Sequence, residues 1–306
     1  MNDAYISEVL KARYGICCYK IEKDNLGSGE NYWINGEFLL KIFDCNVKFR
    51  IEDEIRICEY LRSRGLSTSM HISAIDGSYI QKIENNRLHL QYRLPGITRE
   101  KNSLDFEHSD SFLKMLRHIV KLLEEYPNAI RTNMLFEREY VMADIVESVM
   151  KRLNIYDSTL KEITKRKIEL LNKIQFNRGK VDQTVLSHSD YNIQQLLLDD
   201  EVIWSKKTSI IDFSHVSRIP IEWEIIKSCL RSIEFQKNDC VRAIHNGFAL
   251  MEKNMQIDYK NIYISIIQLI FSTYMEKMYL RTNQRKWLIN LNYELDVLED
   301  LYLSVR

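Results

Sequence analysis

The chain has 306 residues, and its 43 lysines and arginines balance 43 aspartates and glutamates. A formal charge of zero excludes a general nucleic-acid binder, which would carry a basic surplus. Only 9 glycines and 3 prolines exclude collagen-like, linker-rich and low-complexity chains, while 45% hydrophobic and 28% charged residues describe a globular protein of one large domain or two lobes.

Asp3 to Tyr14, with Tyr5, Val9 and Leu10 apolar, predicts a short helix. From Cys17 to Phe43 the pattern turns to β. Tyr32-Trp33-Ile34 and Phe38 to Phe43 are strand-like, and Asn35-Gly36 between them signals a hairpin, because both central residues of a type I′ turn need positive φ. Lys48 to Arg64 repeats Ile51, Ile55, Cys58 and Leu61 at helical spacing and stops at Gly65. His71 to Ala74, Ser78 to Ile83 and Arg87 to Arg93 predict three more strands, with Asp76-Gly77 and Asn85-Asn86 as turns. Beyond Leu94-Pro95-Gly96 the chain turns helical, with amphipathic segments at Ser111 to Tyr126, Tyr140 to Leu153 and Ser158 to Ile174. Strand and loop chemistry returns at Leu186 to Leu198 and Thr208 to Phe213, and Ile221 to Ser304 is again helical, with no proline.

The first ten residues, with Asn2, Asp3 and Glu8, lack the basic start and apolar run of a secretory leader. The most apolar stretch, Ile262 to Phe271, is too short to span a bilayer. The six cysteines form no Cys-x-x-Cys pair. A cytoplasmic protein with reduced thiols and no membrane partner is expected.

Four features carry chemistry, and together they are the parts a phosphoryl-transfer site needs. Gly27-Ser28-Gly29 precedes a strand, and glycine there lets backbone N–H groups approach phosphates. Lys41 sits inside the apolar strand Phe38 to Phe43, where a lysine needs an anionic partner or an exit to water. Glu54, with Glu52, Asp53 and Glu59 as rivals, lies on the following helix and could pair with Lys41. His188-Ser189-Asp190 opens a loop, a short apolar strand follows, and a second strand ends in Ile211-Asp212-Phe213. Two carboxylates are thereby expected at one end of a small hairpin: one to orient or deprotonate an attacking hydroxyl, one to hold Mg²⁺ on phosphates.

These motifs resemble the aminoglycoside phosphotransferase/choline kinase superfamily. That family carries His-Gly-Asp-x-x-x-x-Asn, then Ile-Asp-Phe or Ile-Asp-Trp, then a helix with Trp/Tyr-Asp-Leu-Ala. His188-Ser189-Asp190, Ile211-Asp212-Phe213 and Trp223-Glu224-Ile225 stand in those places. Leu40-Lys41-Ile42 matches the family's lysine strand, and Glu54, Leu61 and Gly65 fit its helix spacing, which selects Glu54 over its rivals. The Gly27 to Asn31 loop and the leading helix look most like the homoserine-kinase-type and spore-coat-kinase-like branches.

The resemblance spans nearly the whole chain. It implies an α+β, bilobal, protein-kinase-like fold: a small β-rich lobe with one inserted helix over residues 1–95, and a large helical lobe over 96–306. It implies ATP or GTP as phosphoryl donor, Mg²⁺ as cofactor, and a small-molecule hydroxyl as acceptor, of the aminoglycoside or amino-alcohol and homoserine type. Asp190 would accept the hydroxyl proton, and His188 would brace the loop. Lys41, held by Glu54, would contact the α- and β-phosphates beside Gly27, Ser28 and Gly29. The segment from Gln91 through Arg93 to Leu94 would offer backbone groups to a purine. Asp212 and Gln195 would ligate Mg²⁺. Gln195 stands where the family has asparagine, Ser189 where it has glycine, and Glu224 where it has aspartate. Asn192 is a nearby substitute for the missing asparagine. These departures leave open an alternative, an inactive nucleotide-binding relative or coat/scaffold protein. A protein kinase is disfavoured, since no Ala-Pro-Glu segment follows Asp212. Glu222, Glu234, Asp239, Glu276 and Asp296 are candidates for holding a polycationic acceptor, and the aromatic tail from Tyr259 to Tyr293 predicts core packing rather than a ligand cage.

Overall fold

The computed structural model describes residues 2–24, 30–45, 51–130, 158–174, 181, 183–198, 207–253, 255–272 and 274–306. The proposed phosphate loop Gly27-Ser28-Gly29 and the helix expected over Tyr140 to Leu153 lie outside the described residues. The chain forms an α+β fold of two compact units, Met1–Thr98 with Gln195–His215, and Arg99–Gln194 with Val216–Arg306.

The first unit is built on an antiparallel sheet of β1 (Ile21–Asp24), β2 (Glu30–Ile34), β3 (Phe38–Asp44), β7 (Asn86–Tyr92) and β5 (His71–Ile72), in that order, with β6 (Ile80–Ile83) also paired to β7. The β2–β3 hairpin turns at Asn35 and Gly36 with φ of 56° and 73°, the double positive φ expected of Asn-Gly. Side chains alternate across a strand. Leu40 and Ile42 of β3 and Leu88 and Leu90 of β7 therefore share one face, packed with Ile6, Val9 and Leu10 of α1 (Asp3–Tyr14). Lys41, His89 and Gln91 point to the opposite face. Helix α2 (Ile51–Ser63) follows β3 and buries Ile51, Glu54, Ile55, Ile57, Cys58 and Leu61.

The two strands expected between the Asp190 loop and Asp212 form, and they tie Gln195–His215 into this unit through a third, Ser67–Thr68, which the sequence did not reveal. β10 (Ser209–Ile210) pairs in parallel with β4 (Ser67–Thr68) and antiparallel with β9 (Leu196–Leu197). The Ser67 and Ser209 hydroxyls lie 2.6 Å apart. A strand as short as β4 leaves no periodic pattern to read, and only its pairing with β10 defines it. Beyond β7, Ile97 and Leu198 exchange both backbone hydrogen bonds, at 2.9 and 3.1 Å. Gly96 precedes them with φ 108°, and a Cβ there would meet the Leu197 carbonyl carbon at 2.9 Å. Gly96→Ala is thus expected to destabilise by about 2 kcal/mol or more, from strain plus overpacking, in a chemical-denaturation titration. A loss below about 0.5 kcal/mol would contradict this close approach.

The second unit is mainly helical. Among the described residues it contains α3 (Ser109–Glu124), α4 (Ser158–Lys173), α5 (Ile221–Ser232), α6 (Lys237–Glu252), α7 (Tyr259–Phe271), α8 (Tyr274–Thr282) and α9 (Lys286–Val305), with β8 (Val185–Ser187) paired to β11 (Ser217–Ile219). Most of these helices bury one apolar stripe, as Phe112, Leu113, Leu116, Ile119, Val120 and Leu123 of α3 do. Helix α5 differs: it is buried almost all round and still carries Glu222, Glu224 and Lys227 inside. Buried charges must be paired or hydrogen-bonded, so α5 marks where the unit keeps its polar chemistry. Among the described residues, no helix is long and apolar enough to cross a membrane.

Candidate active site

Each unit carries half of the expected constellation. In the first, Lys41 is 15% exposed, and its Nζ lies 3.9 Å from Oε1 of Glu54, which is 2% exposed. Two of the three rivals are engaged elsewhere: Asp53 pairs with Arg56, and Glu59 accepts from the Tyr79 hydroxyl. Burial alone would lower the Lys41 pKa. The carboxylates of Glu54 and then Asp212 outweigh it and hold it above the ordinary lysine value. Asp212 therefore lies within the electrostatic reach of this lysine.

Asp212 adopts φ 64° and accepts from the Ser214 hydroxyl at 2.7 Å. A left-handed aspartate is uncommon, and such conformers persist only where the surroundings impose them. At the same end of the β9–β10 pair, the Ile211 N–H donates to the Gln195 carbonyl at 3.0 Å, bringing Gln195 beside Asp212. Among the described residues no cluster of three or more His, Cys, Asp or Glu could enclose a metal ion. A carboxylate and an amide are oxygen donors of the kind Mg²⁺ takes, with water and substrate phosphates completing its shell.

Gln91 is 5% exposed with no partner for its Oε1. The Tyr92 and Arg93 N–H groups donate to Met70 and Glu37, so neither is open to a purine. The Arg93 guanidinium turns to the hairpin, donating to the Gly36 carbonyl at 3.3 Å and lying 5.0 Å from the Trp33 ring centroid. Sequence reasoning missed the polar lining of this sheet face. His89, directly across from Lys41, is fully buried, and its ring lies 5.3 Å from that of His71. Burial, reinforced by the Lys41 charge, pushes His71 down to about 4 and His89 well below its ordinary value.

In the second unit, Asp190 is gripped by α5. Lys227 Nζ and Arg231 Nη1 each lie 2.7 Å from the same oxygen, Oδ1. Burial works against the Asp190 carboxylate, but these two cations prevail and push it down to about 2. Lys227 also donates to the Ser189 carbonyl at 2.7 Å and lies 4.4 Å from the Trp223 ring centroid. Burial and then the Arg231 charge lower the Lys227 pKa. The only sequence signal for this pair was its spacing, because Lys227 and Arg231 stand four apart on one helix face.

Glu224, one turn before Lys227, organises the loop. Its carboxylate accepts the Ser189 N–H at 2.7 Å and the Tyr191 N–H at 2.9 Å. The extra methylene relative to aspartate lets one side chain cap both amides across the residue they flank, Asp190. The Tyr191 ring stacks on Phe112 with centroids 4.5 Å apart and donates its hydroxyl to the Phe112 carbonyl at 2.8 Å. His188 is fully buried, edge-on to Tyr191. Asn192 caps locally: its amide donates to the Asp190 carbonyl at 2.7 Å, and its Oδ1 accepts the Gln194 N–H at 3.0 Å.

Ser189 adopts φ 64°, and its hydroxyl lies 2.7 Å from that of Ser217. Ser189→Gly relieves about 1 kcal/mol of backbone strain and gives up a hydrogen bond of similar worth, so near-neutral stability is expected. Ser189→Ala keeps the strain and loses the bond, so it should be less stable than Ser189→Gly by about 1 kcal/mol in parallel urea titrations. Equal stabilities would contradict the strain at this position.

No family model matches the chain, and no curated protein matches its sequence. Solved structures do. A microcompartment-associated aminopropanol kinase superposes with a TM-score of 0.67 at 13% identity, covering 99% of this chain and 98% of that one. An amicoumacin kinase in complex with AMP-PNP and Ca²⁺ superposes at 0.65 and 13%, covering 98% and 94%. An aminoglycoside phosphotransferase from Alicyclobacillus acidocaldarius superposes at 0.60 and 9%, covering 96% and 94%. The chain has the aminoglycoside-phosphotransferase fold. In a chain of this fold, an α+β architecture with an antiparallel sheet in the first unit and helices in the second is the expected arrangement.

Of the acceptor candidates, Glu222 is buried with its Oε1 accepting from the Asp258 N–H, Asp239 pairs with Arg242, and Asp296 pairs with Arg166. The side chain of Glu276 lies outside the described residues. Within the aromatic tail, Tyr263 packs edge-on to Tyr302 and Tyr293 to Phe235, while Tyr259 is exposed.

Proposed function

We propose that this chain is a nucleotide-dependent phosphotransferase that moves the γ-phosphate of ATP or GTP to a hydroxyl of a small molecule. The observation that carries the reading is Lys41: a strand lysine, nearly buried, whose charge is kept by a buried glutamate on the next helix and by Asp212. An ammonium group so placed suits the α- and β-phosphates of a nucleotide. Asp212 and Gln195 would hold Mg²⁺, which when bound neutralises charge on the phosphate oxygens. Gly27, Ser28 and Gly29 would offer backbone N–H groups to the phosphates, and the chain from Gln91 to Leu94 would border the base. Asp190 would accept the proton of the acceptor hydroxyl as its oxygen bonds to the γ-phosphorus and the nucleoside diphosphate departs. Six free thiols fit the reducing cytoplasm.

The test is isothermal titration with ATP and GTP plus Mg²⁺, followed by a phosphate-transfer screen over hydroxyl compounds. Asp212→Asn is expected to weaken nucleotide binding in the presence of Mg²⁺ by about tenfold or more, because one charge-assisted contact is lost. Failure of the unaltered chain to bind either nucleotide at millimolar concentration would sink the reading. Gln195 favours a second reading, a nucleotide-binding protein without turnover, since Mg²⁺ is exacting about ligand geometry. Binding without transfer or background nucleotide hydrolysis, together with turnover gained by Gln195→Asn, would establish it.

A further inference from the structure

The environment of Asp190 bears on which acceptor could approach it. A hydroxyl handing its proton to Asp190 must come within hydrogen-bond reach of that carboxylate, and so within a few bond lengths of the two cations bound to Oδ1. Lys227 is 9% exposed and fully engaged by Asp190, the Ser189 carbonyl and the Trp223 ring. Arg231 is not. Its side chain is 28% exposed, and among the described residues only Nη1 is bonded, to Asp190, leaving Nε and Nη2 as an open edge. Lys101 stands nearby: its side chain is 24% exposed and paired with Glu294 at 3.6 Å, and burial first, then the charge of Arg231, lower its pKa against the pull of Glu294.

The charges available to an incoming molecule are therefore lopsided. Asp190 is reserved for the proton, Glu224 is buried on the loop amides, and Glu294 is paired with Lys101. Around Asp190, among the described residues, a polycationic acceptor would meet three cations, while Asp190, Glu224 and Glu294 are already engaged. An oxyanion would meet a guanidinium edge whose planar fork matches carboxylate and phosphate geometry.

We propose that the acceptor carries an oxyanion besides its hydroxyl, as a hydroxy-acid carboxylate or a polyol phosphate does, and that this oxyanion is held by the open edge of Arg231 with Lys101 beside it. This rests on the phosphotransferase reading. It assigns Arg231 a double part: one nitrogen orients the base, and the others select the substrate.

The test is a coupled assay of nucleoside diphosphate release with ATP, GTP and Mg²⁺. Its acceptors are L-homoserine and D-glycerate as carboxylates, sn-glycerol 3-phosphate as the phosphate, glycerol as the neutral control, and 1-amino-2-propanol and kanamycin as cations. At least one anion is expected to exceed the neutral and cationic compounds tenfold in kcat/KM, and the carboxylate and phosphate arms then identify the oxyanion. Arg231→Gln should raise the KM for that anion tenfold or more with the KM for the nucleotide within twofold, and Arg231→Lys should recover part of it. Glycerol, 1-amino-2-propanol or kanamycin performing as well as the anions would overturn the proposal while leaving the kinase reading intact. If no compound is phosphorylated, the same six are titrated into protein saturated with AMP-PNP and Mg²⁺. Anion binding that Arg231→Gln abolishes supports the proposal, and absence of anion binding overturns it. Failure of AMP-PNP itself to bind is the distinct signature of the phosphotransferase reading being wrong.

Discussion

Asp190→Asn is expected to cut phosphoryl transfer by about 10²- to 10⁴-fold, the usual worth of a positioned general base, with nucleotide affinity little changed. Asparagine retains an oxygen for Lys227 or Arg231 but cannot take the hydroxyl proton. Asp190→Ala goes further. It leaves Lys227, 9% exposed, beside Arg231 with their shared carboxylate gone, and breaking a buried pair in this way costs about 3–5 kcal/mol. The two variants separate chemistry from stability: both lose transfer, but only the alanine variant should shift the denaturation midpoint strongly. Full transfer by either variant would remove Asp190 from the role of base.

The same cations predict a pH dependence. The Asp190 carboxyl is pushed down to about 2, below its ordinary 3.8. A depressed folded-state pKa contributes stability that is fully present above the unfolded value, near 3.8, and is lost as pH falls towards 2. In activity, the base remains ionised across the whole working range. Replacing Lys227 with methionine removes the stronger of the two interactions that hold the carboxyl down, so the acid limb of kcat/KM should move upward by about one unit or more. An unmoved limb would show that Lys227 does not govern this carboxylate.

Glu224→Ala is the second large effect. The Ser189 and Tyr191 N–H groups are buried and bonded to this one carboxylate. Orphaning two such donors costs about 1–3 kcal/mol each, so a total loss of about 3–5 kcal/mol is expected in urea titration. Glu224→Gln keeps an acceptor for one amide and should lose roughly half as much. Amide hydrogen exchange at Ser189 and Tyr191 should accelerate in the alanine variant, reporting an opened loop directly. A loss under about 1 kcal/mol for Glu224→Ala would mean that the stack of Tyr191 on Phe112, not Glu224, holds the loop.

Much of this chain was legible by itself. Helix α1 follows from the spacing of Tyr5, Val9 and Leu10, and the β2–β3 hairpin from Asn35-Gly36, because both depend on local periodicity and on which residues tolerate positive φ. Lys41 within an apolar strand, the choice of Glu54, and the order of Asp190 before Asp212 were also readable, since each is a matter of residue type at a set interval. Tertiary structure decided the rest. Strand β4 is two residues long, and only its pairing with β10 defines it. Glu224 looked like a departure from the expected aspartate and proves to cap two amides, a role visible only once the loop is folded over it. Lys227 and Arg231 were two cations among 43, and nothing in a linear sequence says which carboxylate they meet. Their convergence on Asp190 arises where α5 packs against the loop, and burial there turns an ordinary helical spacing into the strongest electrostatic feature of the site.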